Sequence, residues 1–156
     1  MVDSSPVPTP MVPKQSPTNT VQSLDDVAAA SYRRVIGKTI YLTTTRPDIT
    51  FAVNHLSQFM SAPTSAHQQA TTRILRYLKG NPGAGVHLPH KSTVQLKAFC
   101  DSDWATCPDT RRLVTGFTVY LGNSLISWSS KKQPIVSRSS SEAELRLLAN
   151  TVCELQ

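Results

Sequence analysis

The spacing of apolar residues divides this chain into a helical first part and a strand-rich second part. Between Ser23 and Gly80 the apolar residues recur at intervals of three and four, which is the period of an amphipathic helix. After Gly80 an Asn-Pro-Gly sequence stops the helix, and apolar and polar residues then alternate as they do along strands. The pattern predicts an α+β fold in which a helical segment precedes an antiparallel sheet.

Three helices are predicted in the first part. Ser23 is the expected N-cap of the first helix, and Asp48 is that of the second. Ser65 and Gln68 are expected to form a capping box at the start of the third helix, which ends at the C′ glycine Gly80. The apolar positions expected to face the core are Val35, Ile36, Ile40 and Tyr41 in the first helix, Ile49, Ala52, Val53, Leu56, Phe59 and Met60 in the second, and Ala66, Ala70, Ile74 and Leu78 in the third.

The alternation in the second part predicts a meander of three antiparallel strands followed by one helix. Residues 94–101 form the first expected strand and residues 117–121 the second. A turn at Gly122 and Asn123 leads into the third strand, and a serine-rich segment then opens the helix. Cys100 is expected to be a small core residue on the apolar side of the first strand.

Residues 1–22 differ from the rest of the chain because proline recurs among Ser, Thr and Gln. Proline fixes φ and removes a backbone donor, so neither a helix nor a strand is expected there. The prolines are Pro6, Pro8, Pro10, Pro13 and Pro17. The segment is predicted to be an extended linker or a disordered tail.

The charge balance favours an anionic partner. The chain has 16 Lys and Arg against 10 Asp and Glu, a net charge of +6 and a pI of about 9.5. Such a balance is typical of proteins that bind nucleic acid or another polyanion. Arg73, Arg76 and Lys79 cluster on one side of the third predicted helix. They form either a solvated face that suits the C-terminal end of the helix dipole or a face that tracks phosphates.

Cysteine usage and hydropathy predict an intracellular protein, cytoplasmic or nuclear, with no membrane partner. The three cysteines form no C-x-x-C pair and leave an odd count, which argues against a disulfide framework. No apolar run is long enough to span a bilayer, and the N-terminus lacks the apolar core of a secretory signal. The histidines are scattered and expected to be structural or exposed: His55, His67, His87 and His90.

Acidic residues are few, yet Asp101 closes the first strand and Asp103 follows two positions later. The last helix adds Glu142 and Glu144, and a strand-end carboxylate that meets a helix carboxylate is a suitable start for a Mg²⁺ site. The alternative roles are structural. Asp103 could cap the turn after the strand, and each glutamate lies three residues after a serine. Either glutamate, but not both in one register, could therefore complete a capping box.

Several motifs resemble those of copia-type LTR retrotransposon Pol polyproteins. They occur in the family's order as RPDI, RILRYLKG, CDSDWA, TRR followed by TGF, LISWSSKKQ and SRSSSEAE. Residues 23–90 resemble the helical connection or thumb-like segment that follows the reverse transcriptase palm. Residues 91–156 resemble the N-terminal half of the ribonuclease H domain, so the resemblance implies an incomplete ribonuclease H-like fold there.

The resemblance implies Mg²⁺-dependent cleavage of the RNA strand in an RNA–DNA hybrid. Asp101 matches the metal-binding aspartate that ends the first strand of that fold. The Ala-Glu-Leu match assigns the helix ligand to Glu144, with Glu142 as the alternative. The basic helices would track phosphates, and the hybrid would be recognised by its shape and 2′-hydroxyls. The remainder of the Pol polyprotein is the expected protein partner.

The sequence also departs from the family pattern. The family domain continues with a fourth strand and a later segment, each with a further metal-binding aspartate, whereas here no Asp follows Asp109. The only acidic residue after Glu144 is Glu154, and Leu145 stands where the family usually has tyrosine. We therefore expect this chain alone to be inactive as a nuclease. The alternatives are a non-catalytic nucleic-acid-binding remnant and a pseudogene product that scarcely folds.

Overall fold

The computed structural model describes residues 4–12, 22–91, 93–103, 113–134 and 136–155. These residues form four α-helices and a three-stranded antiparallel sheet, which confirms the predicted α+β class. The elements are α1 (Asp26–Leu42), α2 (Thr50–Ser57), α3 (Ser65–Gly80), β1 (Leu96–Asp103), β2 (Val114–Leu121), β3 (Ser124–Lys132) and α4 (Ser140–Cys153). Two compact units result, a helical unit, Met1–Gly85, and a sheet unit, Val86–Gln156.

The core of the helical unit is formed by α1, α2, α3 and the 3₁₀ turn that precedes α2. Its buried members are Tyr32, Ile36, Ile49, Ala52, Val53, Leu56 and Ile74. All of these except Tyr32 were predicted from the apolar spacing. The phenol of Tyr32 donates a hydrogen bond to the Leu56 carbonyl at 2.6 Å, and burial raises the pKa of Tyr32 to about 12. This bond ties α1 to α2 through an otherwise apolar interface.

The buried face of α1 is rotated relative to the prediction. Ile40 and Tyr41 were expected in the core, but they are 39% and 80% exposed. The buried positions are Ala29, Tyr32, Ile36 and Thr39. Since successive helical residues turn by about 100°, Tyr41 points away from the side that contains Thr39. Ile40 lies on the same side as Ile36 but in the last turn of α1, where it is left partly exposed. The prediction for these two residues was wrong.

The starts of α1 and α3 are each displaced from the predicted caps. The carboxylate of Asp25, not Ser23, accepts from the Ala28 amide at 2.7 Å. At α3 the capping box is formed by Thr64 and His67 instead of Ser65 and Gln68. Residues 22–24 pair with residues 63–65 as extended chains, through Leu24 N–H to Pro63 O and Ser65 N–H to Gln22 O. This pairing keeps Ser23 out of a helix and places Thr64 at the cap.

Two further predictions about where helices of the helical unit begin and end were wrong. Asp48 caps no helix, because its carboxylate is held by Arg46 and Tyr77. Gly80 is the last residue of α3 rather than the residue beyond it, and Asn81 is the C-cap.

The sheet has the order β1-β2-β3, so the predicted meander is confirmed. Gly122 has φ of 60° in the two-residue turn between β2 and β3, a left-handed conformation that glycine adopts without strain. The helix α4 packs chiefly against β1. Cys100 is exposed on β1, which is an edge strand of the described sheet, so its predicted place in the core was wrong.

Candidate functional site

The two carboxylates matched to the metal ligands lie on elements that pack together. Asp101 is an exposed residue of β1, directly opposite Gly116 on β2. Glu144 is an exposed residue in the second turn of α4, the helix that packs against β1. Neither carboxylate forms a hydrogen bond or an ion pair with another residue that the structure describes.

Glu142 has a different role, because it belongs to the N-terminus of α4. The hydroxyl of Ser139 accepts from the Glu142 amide at 3.1 Å, and the Glu142 carboxylate accepts from the Arg138 amide at 2.8 Å. The same carboxylate pairs with Arg146 one turn later, at 2.9 Å. The Arg138 amide and, to a lesser degree, the charge of Arg146 hold the pKa of Glu142 below its usual value. Of the two capping alternatives, the structure uses the register of Ser139 and Glu142, but the Glu142 carboxylate accepts from the Arg138 amide and not from the Ser139 amide that a capping box requires.

The described carboxylates fit Mg²⁺ in chemistry but fall short in number. Carboxylate oxygens are the ligands that this ion prefers. Within the residues that the structure describes, however, no three His, Cys, Asp or Glu side chains come together as a metal site. The side chain of Asp103 and residues 104–112 lie outside the described residues, so the proposed turn cap at Asp103 does too. Asp101 and Glu144 by themselves do not complete a centre for two ions.

The α3 cationic face, which consists of Arg73, Arg76 and Lys79, is in contact with the N-terminal segment, residues 4–12. Arg73 donates to the carbonyl and hydroxyl of Thr9 at 3.1 and 2.8 Å. Arg76 donates to the Ser5 carbonyl at 2.6 Å and Lys79 to the Ser4 carbonyl at 3.0 Å. The sequence indicated the cluster of cations but not its occupant. The sequence feature that could have suggested an occupant is Gly80, because a residue without a side chain lets another segment of the chain pass close to α3.

Sequence reasoning also missed a partly buried ion pair at the RPDI motif. Arg46 is only 4% exposed, and its Nε and Nη2 donate to the two oxygens of Asp48 at 3.0 and 2.7 Å. Its Nη1 donates to the Asn81 carbonyl at 2.8 Å, and Tyr77 donates to the Asp48 carboxylate at 2.8 Å. The hydrogen bonds from Arg46 hold the pKa of Asp48 below its usual value. The motif therefore joins the start of α2 to the end of α3.

The histidines of the helical unit are structural, as predicted. The imidazole of His67 stacks on Phe59 with 4.1 Å between ring centroids, and its Nδ1 accepts from the Thr64 amide at 3.2 Å. His55 lies between Phe51 and Phe59. Burial, followed by the charge of His55, lowers the pKa of His67. The remaining two, His87 and His90, are exposed.

Similarity to known proteins identifies the origin of the chain. Neither a protein-family model nor a solved structure matches it. It is 49% identical to the retrovirus-related Pol polyprotein from transposon RE1 and 48% identical to that from transposon RE2, both of Arabidopsis thaliana. In each case the alignment covers 100% of this chain and 11% of the polyprotein. It is also 45% identical to the uncharacterized mitochondrial protein AtMg00810 of Arabidopsis thaliana, over 99% of this chain and 64% of that protein.

The alignments therefore run the full length of this chain, whereas the chain spans about a tenth of each Pol polyprotein and less than two thirds of the mitochondrial protein. In the part of the chain that the structure describes, no helix is long and apolar enough to cross a bilayer. The intracellular location stays a prediction. The identity to plant transposon proteins agrees with the order of the motifs, and the chain belongs to the copia-type retrovirus-related Pol polyproteins.

Proposed function

We propose that the chain is a reverse transcriptase/ribonuclease H segment of a Pol polyprotein, and that Asp101 and Glu144 contribute to a Mg²⁺ site for cleavage of RNA in RNA–DNA hybrids. The observation that carries this proposal is the division of roles between the two glutamates. Glu142 is held by the cap and by Arg146, whereas Glu144 is exposed on a helix that packs against the strand of Asp101. Donors on a helix and a strand are held more precisely than donors on loops.

When bound, Mg²⁺ would activate water and stabilise the charge that develops on the phosphate. The residues of this chain would hold and orient the ion through the carboxylates of Asp101 and Glu144. Because Asp101 and Glu144 do not complete a two-ion centre, and no third ligand joins them among the described residues, we infer that the chain alone does not cleave. Other residues of the polyprotein would supply the missing ligands, which makes the rest of Pol a required partner.

Hybrid cleavage tests the inferred inactivity. The purified chain is incubated with Mg²⁺ and an RNA–DNA hybrid that is labelled on the RNA strand, beside an Asp101→Asn variant as control. We expect no release of labelled RNA above that variant. Release by the native chain that disappears in Asp101→Asn would show that the chain completes a working centre, and the inferred inactivity would then be wrong.

Metal binding tests the two residues themselves. Mn²⁺ is a paramagnetic stand-in for Mg²⁺ and broadens the NMR signals of nearby groups. We expect broadening near Asp101 and Glu144 in the native chain, and loss of it in Asp101→Asn and in Glu144→Gln. Glu142→Gln is the matched control, because it removes a carboxylate from the same helix but leaves the proposed ligands intact. Equal broadening in all four proteins would contradict the assignment.

A second candidate function, nucleic-acid binding without chemistry, is favoured by the α3 cationic face. Helix α3 contains three cations on this face and no Asp or Glu. If all three contact phosphates of a single strand, log Kd should change with log salt by a slope of about 2, since each contact contributes roughly 0.7. Arg76→Gln should lower the slope by about 0.7. A slope that is the same in both proteins would exclude this face as the binding surface.

A further inference from the structure

The N-terminal segment holds all three members of the α3 cationic face at once. Its four hydrogen bonds to Arg73, Arg76 and Lys79 span residues 4–9 of the segment and two turns of the helix. The segment contains no helix or strand of its own, so its position depends on these contacts and on the packing beside them. It therefore covers the same donors that a phosphate backbone would need.

The acceptors that the segment offers to Arg73 and Arg76 are neutral. They are the carbonyls of Ser5 and Thr9 and the hydroxyl of Thr9. Residues 4–12 contain no Asp or Glu. A phosphate oxygen adds the attraction between opposite charges, which a neutral acceptor does not provide. A phosphodiester backbone would thus make stronger bonds to these two arginines than the segment does.

Two apolar contacts hold the segment beside the helix independently of charge. Met11 packs against the core of the helical unit. Pro6 approaches Gly80 so closely that a Cβ on Gly80 would lie 3.1 Å from the Pro6 Cβ. Prolines at positions 6, 8 and 10 restrict the backbone in advance, which lowers the entropy lost when the segment docks.

From these contacts we infer that the N-terminal segment and the phosphates of a nucleic acid compete for the α3 cationic face. The inference rests on the nucleic-acid binding proposed above. The undocked fraction of the protein sets the apparent affinity: a segment docked about nine-tenths of the time weakens nucleic-acid binding roughly tenfold. Nucleic acid, in turn, displaces the segment.

Gly80→Leu tests this competition without changing any charge. The larger side chain meets Pro6 and displaces the segment, while leucine favours the helix more than glycine does. Gly83→Leu is the matched control, because nothing lies within 4 Å of a Cβ at Gly83. The probe is a labelled oligothymidylate followed by fluorescence anisotropy, and the ε-methyl NMR signal of Met11 reports whether the segment is docked.

For a segment that is docked nine-tenths of the time, Gly80→Leu should tighten oligothymidylate binding about tenfold. Gly83→Leu should leave it unchanged. Saturating oligothymidylate should move the Met11 signal of the native chain to its position in Gly80→Leu. If Arg76→Gln weakens binding but Gly80→Leu does not tighten it, or if the Met11 signal stays in place, the competition is refuted while the binding surface stands. If Arg76→Gln has no effect in either background, the binding surface itself is wrong, and the competition falls with it.

Discussion

Replacing Asp48 with asparagine removes the negative charge that faces the buried guanidinium of Arg46. In the native chain the two side chains form a bidentate pair, with Nε–Oδ1 and Nη2–Oδ2 distances of 3.0 and 2.7 Å. Asparagine has nearly the same volume, so the surrounding packing is kept. Its amide group, however, places an N–H donor where a carboxylate oxygen accepted. That donor faces one of the N–H groups of Arg46 and the hydroxyl of Tyr77, which donates to Asp48 in the native chain.

The expected loss of stability follows from the burial of each partner. Removing one partner of a buried ion pair costs about 3–5 kcal/mol, and Arg46 is only 4% exposed. The Asp48 side chain is 33% exposed, so water can replace part of its interaction. Arg46 also keeps its hydrogen bond to the Asn81 carbonyl. We therefore expect Asp48→Asn to lower the free energy of unfolding of the helical unit by about 2–3 kcal/mol.

Urea denaturation followed by far-ultraviolet circular dichroism measures this loss. Most of the helix belongs to the helical unit, whereas both tryptophans, Trp104 and Trp128, belong to the sheet unit. Tryptophan fluorescence therefore reports the other unit and should be unaffected. Asp26→Asn is the matched control, since Asp26 is exposed in the first turn of α1 and should contribute a few tenths of a kcal/mol. Equal losses for the two variants would refute the importance of the buried pair.

The pH dependence provides an independent check of the same pair. The folded-state pKa of Asp48 is lower than its ordinary value of 3.8, mainly because of the hydrogen bonds from Arg46. Its contribution is therefore fully present above pH 3.8 and is lost as the pH falls through the folded-state pKa. The Asn variant lacks this contribution, so the difference between the two proteins should shrink over that acid range. A constant difference down to the lowest measurable pH would contradict the explanation.

Three further changes test other contacts. Tyr32→Phe removes a buried hydrogen bond to the Leu56 carbonyl, which keeps its bond from the Phe59 amide, and should cost the helical unit about 0.5–1.5 kcal/mol in urea denaturation; an unchanged midpoint would contradict this. Gly122→Ala places a Cβ at φ of 60° and should cost the sheet unit about 1–2 kcal/mol, measured by tryptophan fluorescence. The pKa of His67 is lowered from 6.5, so the helical unit should lose stability as the pH falls from 6.5 to the lowered value. His67→Gln keeps an acceptor for the Thr64 amide and should remove this pH dependence.

The features that sequence patterns predicted correctly depend on local periodicity. The meander and its turn at Gly122 follow from alternation and from one left-handed position. The caps were displaced because they depend on a long-range contact. Residues 22–24 pair with residues 63–65, and this pairing decides where α1 and α3 begin. The partners of Arg46 were likewise beyond local reasoning, since Asn81 lies 35 positions away.

The sequence indicated which residues to consider for the candidate site but not what surrounds them. Motif order indicated Asp101 and left two glutamates open, and only the cap geometry at Ser139 shows that Glu142 is already engaged. The spacing of the cations on α3 indicated their common face. Its occupant could not be inferred, because Arg73 and Thr9 are separated by 64 positions and joined only by the fold.

The way in which charge is compensated separates stabilising residues from candidate binding residues in this chain. Arg46 and Asp48 neutralise each other in a buried pair, as Glu142 and Arg146 do on the surface of α4. By contrast, Arg73 contacts only neutral acceptors of the N-terminal segment. An uncompensated charge contributes little to folding and repels its like neighbours, but it provides free energy to any ligand of opposite sign. The same argument applies to the exposed carboxylate of Asp101, and it agrees with the roles proposed above for α3 and β1.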